Sequence, residues 1–431
     1  MSDSPSDSPG DSPSLSERDA RVCWHPYTQH ALETDFLAVA SARDAVLTLE
    51  DGRELIDAIS SWWTCLHGHG HAPIARAIAA QVQHLDHVIF AGLTHAPAVE
   101  LAERLVAVAP EGLARVFYSD NGSTAVEVAL KIAYQQWVHR GEPERRVFVA
   151  LDGAYHGDTF GAMSLGEREP FFSAFDALLF EVRHVAPNAE ALAAALAELG
   201  PRAAGVVIEP LIQGAAGMLM HPPAFVRAVR ELCDEHGVPM IADEVMVGFG
   251  RTGSLFACSQ AGITPDLLCL AKGLTGGMFP LSATLATEEL FGAFLSSDKR
   301  RTFFHGHSFT ANPIGCAAAL ASLDSCLTHD VPAKLAHIGT HIEARIAADH
   351  PTNAGPLRRT GGIVAFDLTV PEGDTGYLSR VGPDLRALAI DLGVLLRPLG
   401  NVLYAMPPAC TTDEQADRIA DALLELAASA T

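Results

Sequence analysis

The segments PMIADE (residues 239–244) and LLCLAKG (residues 267–273) decide the fold of this chain. Each is a short apolar run that leads to a charged residue, Asp243 in the first segment and Lys272 in the second. Apolar runs without polar alternation are typical of strands that helices cover on both faces. Similar runs lie upstream at residues 114–119, 146–151 and 205–209, and helical patterns alternate with them at residues 98–108, 123–138, 189–199 and 223–236. This alternation predicts an α/β domain with a mostly parallel sheet covered by helices.

The two ends of the chain show a different pattern. Short strand patterns surround the Asp51-Gly52 turn signal near the N-terminus. Beyond about residue 326, single helices are separated by short strand patterns. Such a mixture is typical of an α+β arrangement. We therefore predict a large α/β domain over residues 71–325 and a small α+β domain assembled from residues 21–70 and 326–431.

The composition excludes several classes of partner. The chain has 29 Lys and Arg residues against 52 Asp and Glu residues, a formal charge of −23. This balance argues against nucleic-acid and anionic-membrane binding, because both need cationic surfaces. No apolar run is long enough to predict a membrane span, and residues 1–20, which are acidic and rich in Ser and Pro, predict a disordered tail rather than a secretory signal. The eight cysteines form no CxxC pair or zinc spacing, so we expect reduced thiols, a cytoplasmic protein and no metal site.

Lys272 is the first candidate for chemistry. In an open α/β sheet, ligands bind at the carboxyl ends of the strands, where this lysine is expected. Burial there lowers the pKa of a lysine and leaves an amine that can form a Schiff base. Only four of the 29 basic residues are lysines, and the guanidinium of arginine cannot replace an amine in this role. The alternative is a lysine that only extends from a strand end into solvent.

Asp243 is the second candidate, and Glu244 follows it directly. Two adjacent carboxylates can form an acid/base pair or a metal site, but the sequence lacks the cluster of further ligands that a metal needs. A buried aspartate can also pair with the ring nitrogen of a pyridinium cofactor, which fits a Schiff-base lysine nearby. The alternative is an aspartate that caps the following turn.

Two loops that follow predicted strands complete the candidate site. In the segment DNGST (residues 120–124), Gly122 and Ser123 open a helix whose free N–H groups can bind a phosphate, although an ordinary helix cap has the same pattern. In the segment GAYHGD (residues 153–158), Tyr155 follows a strand and can stack on a planar ligand. A phosphate cradle, a stacking aromatic ring, an acid for a ring nitrogen and a Schiff-base amine are what pyridoxal phosphate requires.

Longer motifs carry a family resemblance. The run IADEVMVGFGRTGSLFA (residues 241–257), followed by DLLCLAKGLTGG (residues 266–277), resembles the signature of the class III pyridoxal-phosphate aminotransferases of fold type I. The resemblance extends from Cys23 to the end of the chain. Within the class, three stretches resemble the branch that aminates 8-amino-7-oxononanoate with S-adenosylmethionine in biotin biosynthesis: WHPYTQH (residues 24–30), SSWWTCLHGHGH (residues 60–71) and GVLLRPLGNVLYAMPP (residues 393–408).

The resemblance implies roles for individual residues. Lys272, Asp243 and Tyr155 would be the catalytic residues. Pyridoxal 5'-phosphate would be bound by Gly122, Ser123, Tyr155, Asp243, Val245 and Lys272 of one subunit and by His307 and Ser308 of the other subunit of a homodimer. The substrates S-adenosylmethionine and 8-amino-7-oxononanoate would contact Tyr27, Trp62, Trp63, Tyr155, Lys272, Gly306 and Arg397.

The sequence departs from the family pattern in three places. Gly306-His307-Ser308 stands where the family often has Gly-Pro-Thr, which makes Ser308 a more secure phosphate ligand than His307. Met246 stands where enzymes that use glutamate or ornithine usually have Gln, and the loop at residues 213–217 lacks the Glu that they commonly have there. Both absences argue against a glutamate-type or ornithine-type enzyme and agree with the biotin-pathway branch.

Other interpretations remain open at this point. An aminotransferase that uses ω-amino acids or diamines, with pyruvate or another keto acceptor, belongs to the same class. A non-catalytic cofactor-binding protein on the same fold is the alternative from a different class, although the presence of both Lys272 and Asp243 argues against it. Trp62 and Trp63 could be plain core residues rather than a flat surface for substrate, and Arg397 could form a structural salt bridge rather than bind a carboxylate.

Overall fold

A computed structural model describes residues 13–372 and 374–430 of the chain. The α-helices are α1 (Leu15–Val22), α2 (Ser60–Trp63), α3 (Ala72–His84), α4 (Ala96–Val108), α5 (Gly122–Arg140), α6 (Phe160–Leu165), α7 (Ala189–Leu199), α8 (Pro223–His236), α9 (Ala257–Ala261), α10 (Glu288–Gly292), α11 (Pro313–Thr328), α12 (Val331–Ala348), α13 (Val381–Asp391) and α14 (Asp413–Ser429). The strands are β1 (Val39–Arg43), β2 (Val46–Leu49), β3 (Glu54–Asp57), β4 (Leu113–Ser119), β5 (Val147–Leu151), β6 (Val182–Val185), β7 (Ala203–Ile208), β8 (Ile212–Gln213), β9 (Leu219–Met220), β10 (Met240–Asp243), β11 (Leu267–Leu270), β12 (Ser282–Thr287), β13 (Arg358–Thr360), β14 (Ile363–Asp367), β15 (Val394–Leu395) and β16 (Val402–Ala405).

A seven-stranded sheet forms the centre of the protein, in the order β4-β12-β11-β10-β7-β5-β6. Strand β12 is antiparallel to both of its neighbours, and the other strands are parallel to one another. The predicted α/β fold with a mostly parallel sheet is therefore confirmed. All five predicted strands are present, and β6 and β12 are additional. The carboxyl ends of β4, β5, β7, β10 and β11 lie at one edge of the sheet.

The central strands are apolar throughout because both of their faces are buried. In β11, Leu267 and Cys269 pack with helix α5 on one face of the sheet, whereas Leu268 and Leu270 belong to a cluster on the opposite face. All four side chains are fully buried. Burial of a leucine side chain contributes about 1.5–3 kcal/mol, so this strand is held firmly at the point where it delivers Lys272 to the edge of the sheet.

The two ends of the chain meet in a second, four-stranded sheet. Strands β2 and β3 form the predicted hairpin, in which Gly52 adopts a positive φ of 86°. Strand β15, from the C-terminal part, pairs in parallel with β3. A further sheet, β13-β14-β16, lies entirely in the C-terminal part. The division into domains at residues 71–325 and at 21–70 with 326–431 remains our proposal.

The prediction of a disordered tail over residues 1–20 is wrong for its last part. Helix α1 begins at Leu15, and Ser14 caps it: the Ser14 hydroxyl accepts from the Glu17 N–H, and the Glu17 carboxylate accepts from the Ser14 N–H. This reciprocal pair satisfies two free donors and stabilises a short helix in a polar context. Residues 1–12 lie outside the described part of the chain. Within the described part, no helix is long and apolar enough to cross a membrane.

Candidate active site

One cavity of about 850 Å³ opens at the carboxyl edge of the seven-stranded sheet. It is lined by the loops after five parallel strands, by the N-terminal segment and by the stretch that follows β15. Ten of the residues predicted for the site line it: Tyr27, Trp62, Trp63, Gly122, Ser123, Tyr155, Asp243, Val245, Lys272 and Arg397. The structure therefore brings together residues from seven separate parts of the sequence, and those predicted from strand ends, Gly122, Ser123, Tyr155, Asp243 and Lys272, are all among them.

Lys272 lies directly beyond β11 in a left-handed backbone conformation, with φ of 45°. Its amine is 4.8 Å from the centre of the Trp63 ring and makes no hydrogen bond or ion pair to any residue that the structure describes. Burial lowers the pKa of Lys272 to about 8, although the charges of Asp243 and Glu209 oppose this change. About a tenth of the amine is thus uncharged at pH 7, far more than for an ordinary lysine, and the uncharged amine is the form that attacks a carbonyl carbon.

Asp243 ends β10 and is held by two donors. Its Oδ2 lies 2.8 Å from His156 Nδ1, and its Oδ1 accepts from the Val245 N–H at 3.0 Å. Burial of His156 opposes its protonation, but the hydrogen bond and charge of Asp243 outweigh this effect and raise the pKa of His156. Asp243 is therefore held in place by two hydrogen bonds, and it favours the protonated form of the histidine behind it. The sequence interpretation quoted His156 but gave it no role.

Glu209 is a second buried carboxyl group in the cavity, and the sequence interpretation missed it. It follows β7 and accepts from the N–H groups of Tyr155 at 3.1 Å and Gly214 at 3.0 Å. Burial raises the pKa of Glu209 to about 7. The signal was present in the sequence, since Glu209 ends an apolar strand in the same way as Asp243.

The N-terminus of α5 forms a cradle that fits a small anion. Asn121 caps the helix by accepting from the Thr124 N–H. A side chain at position 122 would place its Cβ 2.6 Å from Val245 Cγ1, so Gly122 leaves space that any other residue would fill. The Ser123 hydroxyl is 2.7 Å from the Thr159 hydroxyl and accepts from the Thr159 N–H. Exposed N–H groups at the positive end of a helix, beside hydroxyl groups, are suited to a phosphate.

A network of hydroxyl groups connects the two tyrosines of the cavity. The Tyr27 hydroxyl donates to Asp158 Oδ1 at 2.7 Å, and the Tyr155 hydroxyl donates to the same oxygen at 3.0 Å. Asp158 thereby fixes both aromatic rings at the mouth of the cavity. The sequence interpretation quoted Asp158 within its loop but did not assign it to the site.

The remaining wall is aromatic and carries one unpaired cation. Trp62 meets the Tyr27 ring edge-on at 5.5 Å, and the Arg397 guanidinium lies 4.8 Å above the Trp62 ring. Arg397 donates to the Tyr377 hydroxyl at 3.2 Å and pairs with no carboxylate among the described residues. The alternative of a structural salt bridge is thus not realised there, and the guanidinium is free to bind an anion. Trp63, which is almost fully buried, donates from its indole N–H to the Tyr404 hydroxyl at 3.0 Å.

Three predicted residues lie elsewhere. Gly306, His307 and Ser308 belong to the segment that precedes α11, and none of them lines the cavity in the described part of this chain. The contacts predicted for these residues stay predictions. Those of His307 and Ser308 with a phosphate would have to be made in the cavity of a second subunit. Met246, where related enzymes have Gln, lines the cavity beside Val245.

Comparisons with known proteins give one family. The model of the class III aminotransferases matches residues 27–426. The adenosylmethionine-8-amino-7-oxononanoate aminotransferase of Synechococcus elongatus is 50% identical, with 94% of this chain and 97% of that protein covered. The enzyme of the same name from Geobacter sulfurreducens is 43% identical, with 95% and 96% covered.

Solved structures agree with this result. The crystal structure of adenosylmethionine-8-amino-7-oxononanoate aminotransferase from Methanocaldococcus jannaschii superposes with a TM-score of 0.92 at 34% identity, covering 96% of this chain and 99% of that one. An amine transaminase from an uncultivated Pseudomonas species, in its PLP-bound form, superposes with a TM-score of 0.88 at 32% identity, covering 95% and 98%.

Proposed function

Because this chain belongs to the class III aminotransferase family, we propose that it transfers the amino group of S-adenosylmethionine to 8-amino-7-oxononanoate, giving 7,8-diaminononanoate for biotin biosynthesis. Relatives of 34–50% identity over nearly the full length carry the name of this enzyme. One feature of the site carries the proposal: a buried, unpaired lysine amine faces a cavity that also holds an aromatic wall and an arginine free to bind a carboxylate.

Pyridoxal 5'-phosphate is the cofactor that we propose for this site. The N-terminus of α5, with Gly122 and Ser123, fits its phosphate, and Asp243 fits its ring nitrogen. Tyr155 and Val245 would cover the two faces of the ring, and Lys272 would bind it covalently. When bound, the cofactor withdraws electrons from the carbon that carries the amino group, a chemistry that protein side chains lack.

Lys272 and Asp243 divide the proton chemistry between them. The Lys272 amine would act first as base and then as acid, taking the proton from the donor's α-carbon and delivering it to a carbon of the cofactor. Asp243 keeps a negative charge at one end of the cavity, so a proton on a ring nitrogen beside it is retained. His156 and the Val245 N–H hold the Asp243 carboxylate in place for this task.

The aromatic wall and Arg397 account for substrate binding. Trp62 and Tyr27 offer flat surfaces to an adenine ring or an alkyl chain, and an aromatic face also attracts a sulfonium cation. Arg397 offers two parallel N–H donors to the carboxylate of either substrate. Tyr27 and Tyr155, held by Asp158, would border the bound substrate at the mouth of the cavity.

A homodimer is part of the proposal. The N-terminus of α5 would bind only some of the oxygen atoms of a phosphate. Ser308 and His307 of a second subunit would donate hydrogen bonds to the others. Gly306 would contact substrate from the same segment. We further propose a cytoplasmic location, in line with the reduced cysteines and the absence of a spanning helix among the described residues.

The half-reaction with the amino donor tests the function. Protein loaded with pyridoxal phosphate is mixed with S-adenosylmethionine, and the cofactor's absorbance is followed. We expect a full spectral change that 8-amino-7-oxononanoate reverses, with 7,8-diaminononanoate as the product by mass spectrometry. A spectral change with ω-amino acids or diamines, and none with S-adenosylmethionine, would favour the alternative aminotransferase instead.

The lowered pKa of Lys272 predicts how cofactor capture depends on pH. Only the uncharged amine attacks the aldehyde, so the rate of covalent capture should rise about tenfold per pH unit below pH 8 and level off above it. Apo-protein is mixed with pyridoxal phosphate, trapped with borohydride and mapped by mass spectrometry to Lys272. A rate that still rises steeply above pH 9 would contradict the lowered pKa.

Replacing Arg397 should weaken binding of the acceptor. Arg397→Met removes charge-assisted hydrogen bonds to the carboxylate, and the loss of one such bond costs about 1.5–3 kcal/mol, so the KM for 8-amino-7-oxononanoate should rise at least about 10- to 100-fold. The methyl ester of the acceptor, which lacks the carboxylate charge, should show a much smaller difference between the two proteins. Arg386→Met, which alters an arginine paired with Glu33 at the surface, is the control.

A further inference from the structure

Cys65, His69 and Asp57 form a row outside the cavity. They lie close in sequence to Trp62 and Trp63, which we call the tryptophan wall. Cys65 Sγ lies 3.8 Å from His69 Nδ1, and His69 Nε2 lies 2.8 Å from Asp57 Oδ2. Asp57 is fully buried, the His69 side chain is 14% exposed and Cys65 is partly accessible. We propose that Cys65 is a modification site, a thiol that hydroperoxides oxidise to a sulfenic acid.

His69 supplies a positive charge at the sulfur. Its hydrogen bonds to Asp57 and Cys65 raise the pKa of His69 to about 10, against the effect of burial. The imidazole is thus protonated at neutral pH, and both of its ring nitrogens are donors. One N–H points to the Asp57 carboxylate and the other to the Cys65 sulfur. A cationic donor next to the sulfur is the environment in which reactive cysteines are found.

Asp57 fixes the imidazole in this orientation. Its carboxylate also accepts from the backbone N–H groups of Ile59 at 3.2 Å and of Ser61 at 2.9 Å and 2.7 Å. The acid therefore cannot turn away from His69 without leaving these donors unpaired in a buried place, which costs about 1–3 kcal/mol for each group. The order of nucleophile, base and orienting acid is the one that activates cysteine in enzymes.

Arg251 adds a second positive charge near the sulfur. Its guanidinium is buried, Nη1 donates to the Pro407 carbonyl oxygen, and Nη2 has no hydrogen-bond partner among the described residues. Burial lowers the pKa of Arg251 to about 10, and negative charge at Cys65 and Asp57 opposes this change. Arg251 therefore adds a buried positive charge that interacts electrostatically with both Cys65 and Asp57.

The other cysteines lack these features. Burial raises the pKa of the thiols at Cys233, Cys258, Cys269, Cys316, Cys326 and Cys410. Cys23 is exposed, but its hydrogen bond to Asp19 raises its pKa. A raised pKa leaves less thiolate and a slower reaction. Oxidation should therefore select Cys65.

The oxidation step is balanced by groups already in place. The Cys65 thiolate attacks one oxygen of the hydroperoxide, so an S–O bond forms while the O–O bond breaks. The leaving hydroxide or alkoxide takes the proton of His69 and departs as water or an alcohol. Sulfur loses two electrons, and the hydroperoxide gains them.

Oxidation of Cys65 should also reduce amine transfer. Thr64 and Trp63, which precede Cys65, line the cavity. The backbone here is packed without spare volume, since a Cβ on Gly277 would lie 2.8 Å from the Thr64 carbonyl carbon and 3.0 Å from the Cys65 nitrogen. Ser60, Ser61 and Trp63 already hold positive φ angles, a strained turn that tolerates little displacement. An added oxygen at the sulfur therefore shifts the tryptophan wall.

Trapping of the sulfenic acid tests the proposal. Cofactor-loaded protein is treated with hydrogen peroxide in the presence of dimedone, and the adducts are mapped by mass spectrometry. We expect most of the adduct at Cys65, and a rate at least about tenfold lower in His69→Gln. Cys65→Ala should keep its basal activity and resist inactivation by peroxide, whereas Cys23→Ala should behave like the unmodified protein.

Two results would overturn the proposal. One is an adduct that forms mainly at Cys23 or at no cysteine, and the other is unchanged labelling of Cys65 in a folded His69→Gln variant. If His69→Gln shows no cooperative thermal transition, the distribution of adduct among the eight cysteines of the unmodified protein decides alone. Equal inactivation of Cys65→Ala and the unmodified protein would overturn the link to the tryptophan wall. The labelling result does not depend on which substrates the enzyme uses.

Discussion

Lys272→Ala should lower kcat by about a thousandfold or more while leaving the fold intact. The change removes the group that we propose moves the proton, a contribution of about 10²–10⁴ in rate, together with the proposed covalent attachment of the cofactor. It also removes a buried amine that makes no hydrogen bond or ion pair among the described residues, so the protein loses little stability. Product formation by mass spectrometry and thermal unfolding by circular dichroism give the two measurements.

Lys334→Ala is the matched control, because Lys334 is an exposed lysine on helix α12. It should retain full activity. Transamination that persists in Lys272→Ala would show that the proton chemistry assigned to Lys272 is wrong. If the chain is instead a non-catalytic cofactor-binding protein, the unsubstituted protein should already show no turnover.

Asp243→Asn should lower kcat by about 10²–10³-fold with a small change in KM. The substitution keeps the shape of the side chain but removes the charge that we propose holds a proton on the ring nitrogen of the cofactor. Loss of one partner from a buried ion pair costs about 3–5 kcal/mol, and this cost falls on the reacting state if Asp243 acts on the cofactor. Steady-state kinetics at saturating donor and acceptor measure the effect.

The same substitution removes the main cause of the raised pKa of His156. In Asp243→Asn, the pKa of His156 should therefore fall, so that the imidazole loses its proton at a lower pH than before. Nuclear magnetic resonance of labelled histidine can follow this change. Asp234→Asn, at an exposed aspartate on helix α8, should change neither property. Unchanged kcat in Asp243→Asn would remove Asp243 from the mechanism.

Strand ends were the most productive signal in the sequence. Asp243, Lys272 and the Gly122-Ser123 pair were predicted from one rule, that ligands bind where parallel strands end. The structure places all of them in one cavity. The rule worked because fully buried strands are visible as continuous apolar runs, and the residue that ends such a run has a defined position in the sheet.

Partners across the sheet could not be predicted in the same way. His156 lies on the loop after β5, yet it contacts Asp243 at the end of β10, and the order of strands in the sheet fixes that contact. Strand β12 was missed because its sequence, SATLAT, is not a continuous apolar run and contains two alanines, a residue that is depleted in strands. Helix α1 was missed because composition outweighed the Ser14-Glu17 capping pattern, which was present.

The pairing of β3 with β15 has a consequence for how the protein is made. Trp62 follows β3 and Arg397 follows β15, so the contact between them depends on this pairing. A ribosome that adds about 5–20 residues per second needs tens of seconds to pass from Asp57 to Val394. During synthesis, β3 therefore remains without its parallel neighbour until β15 emerges from the ribosome. By that time, most strands of the seven-stranded sheet have already emerged. The contact between Trp62 and Arg397 is completed last, and a chain truncated before β15 contains the N-terminus of α5, which we propose as a phosphate cradle, but not Arg397, which we propose binds a carboxylate.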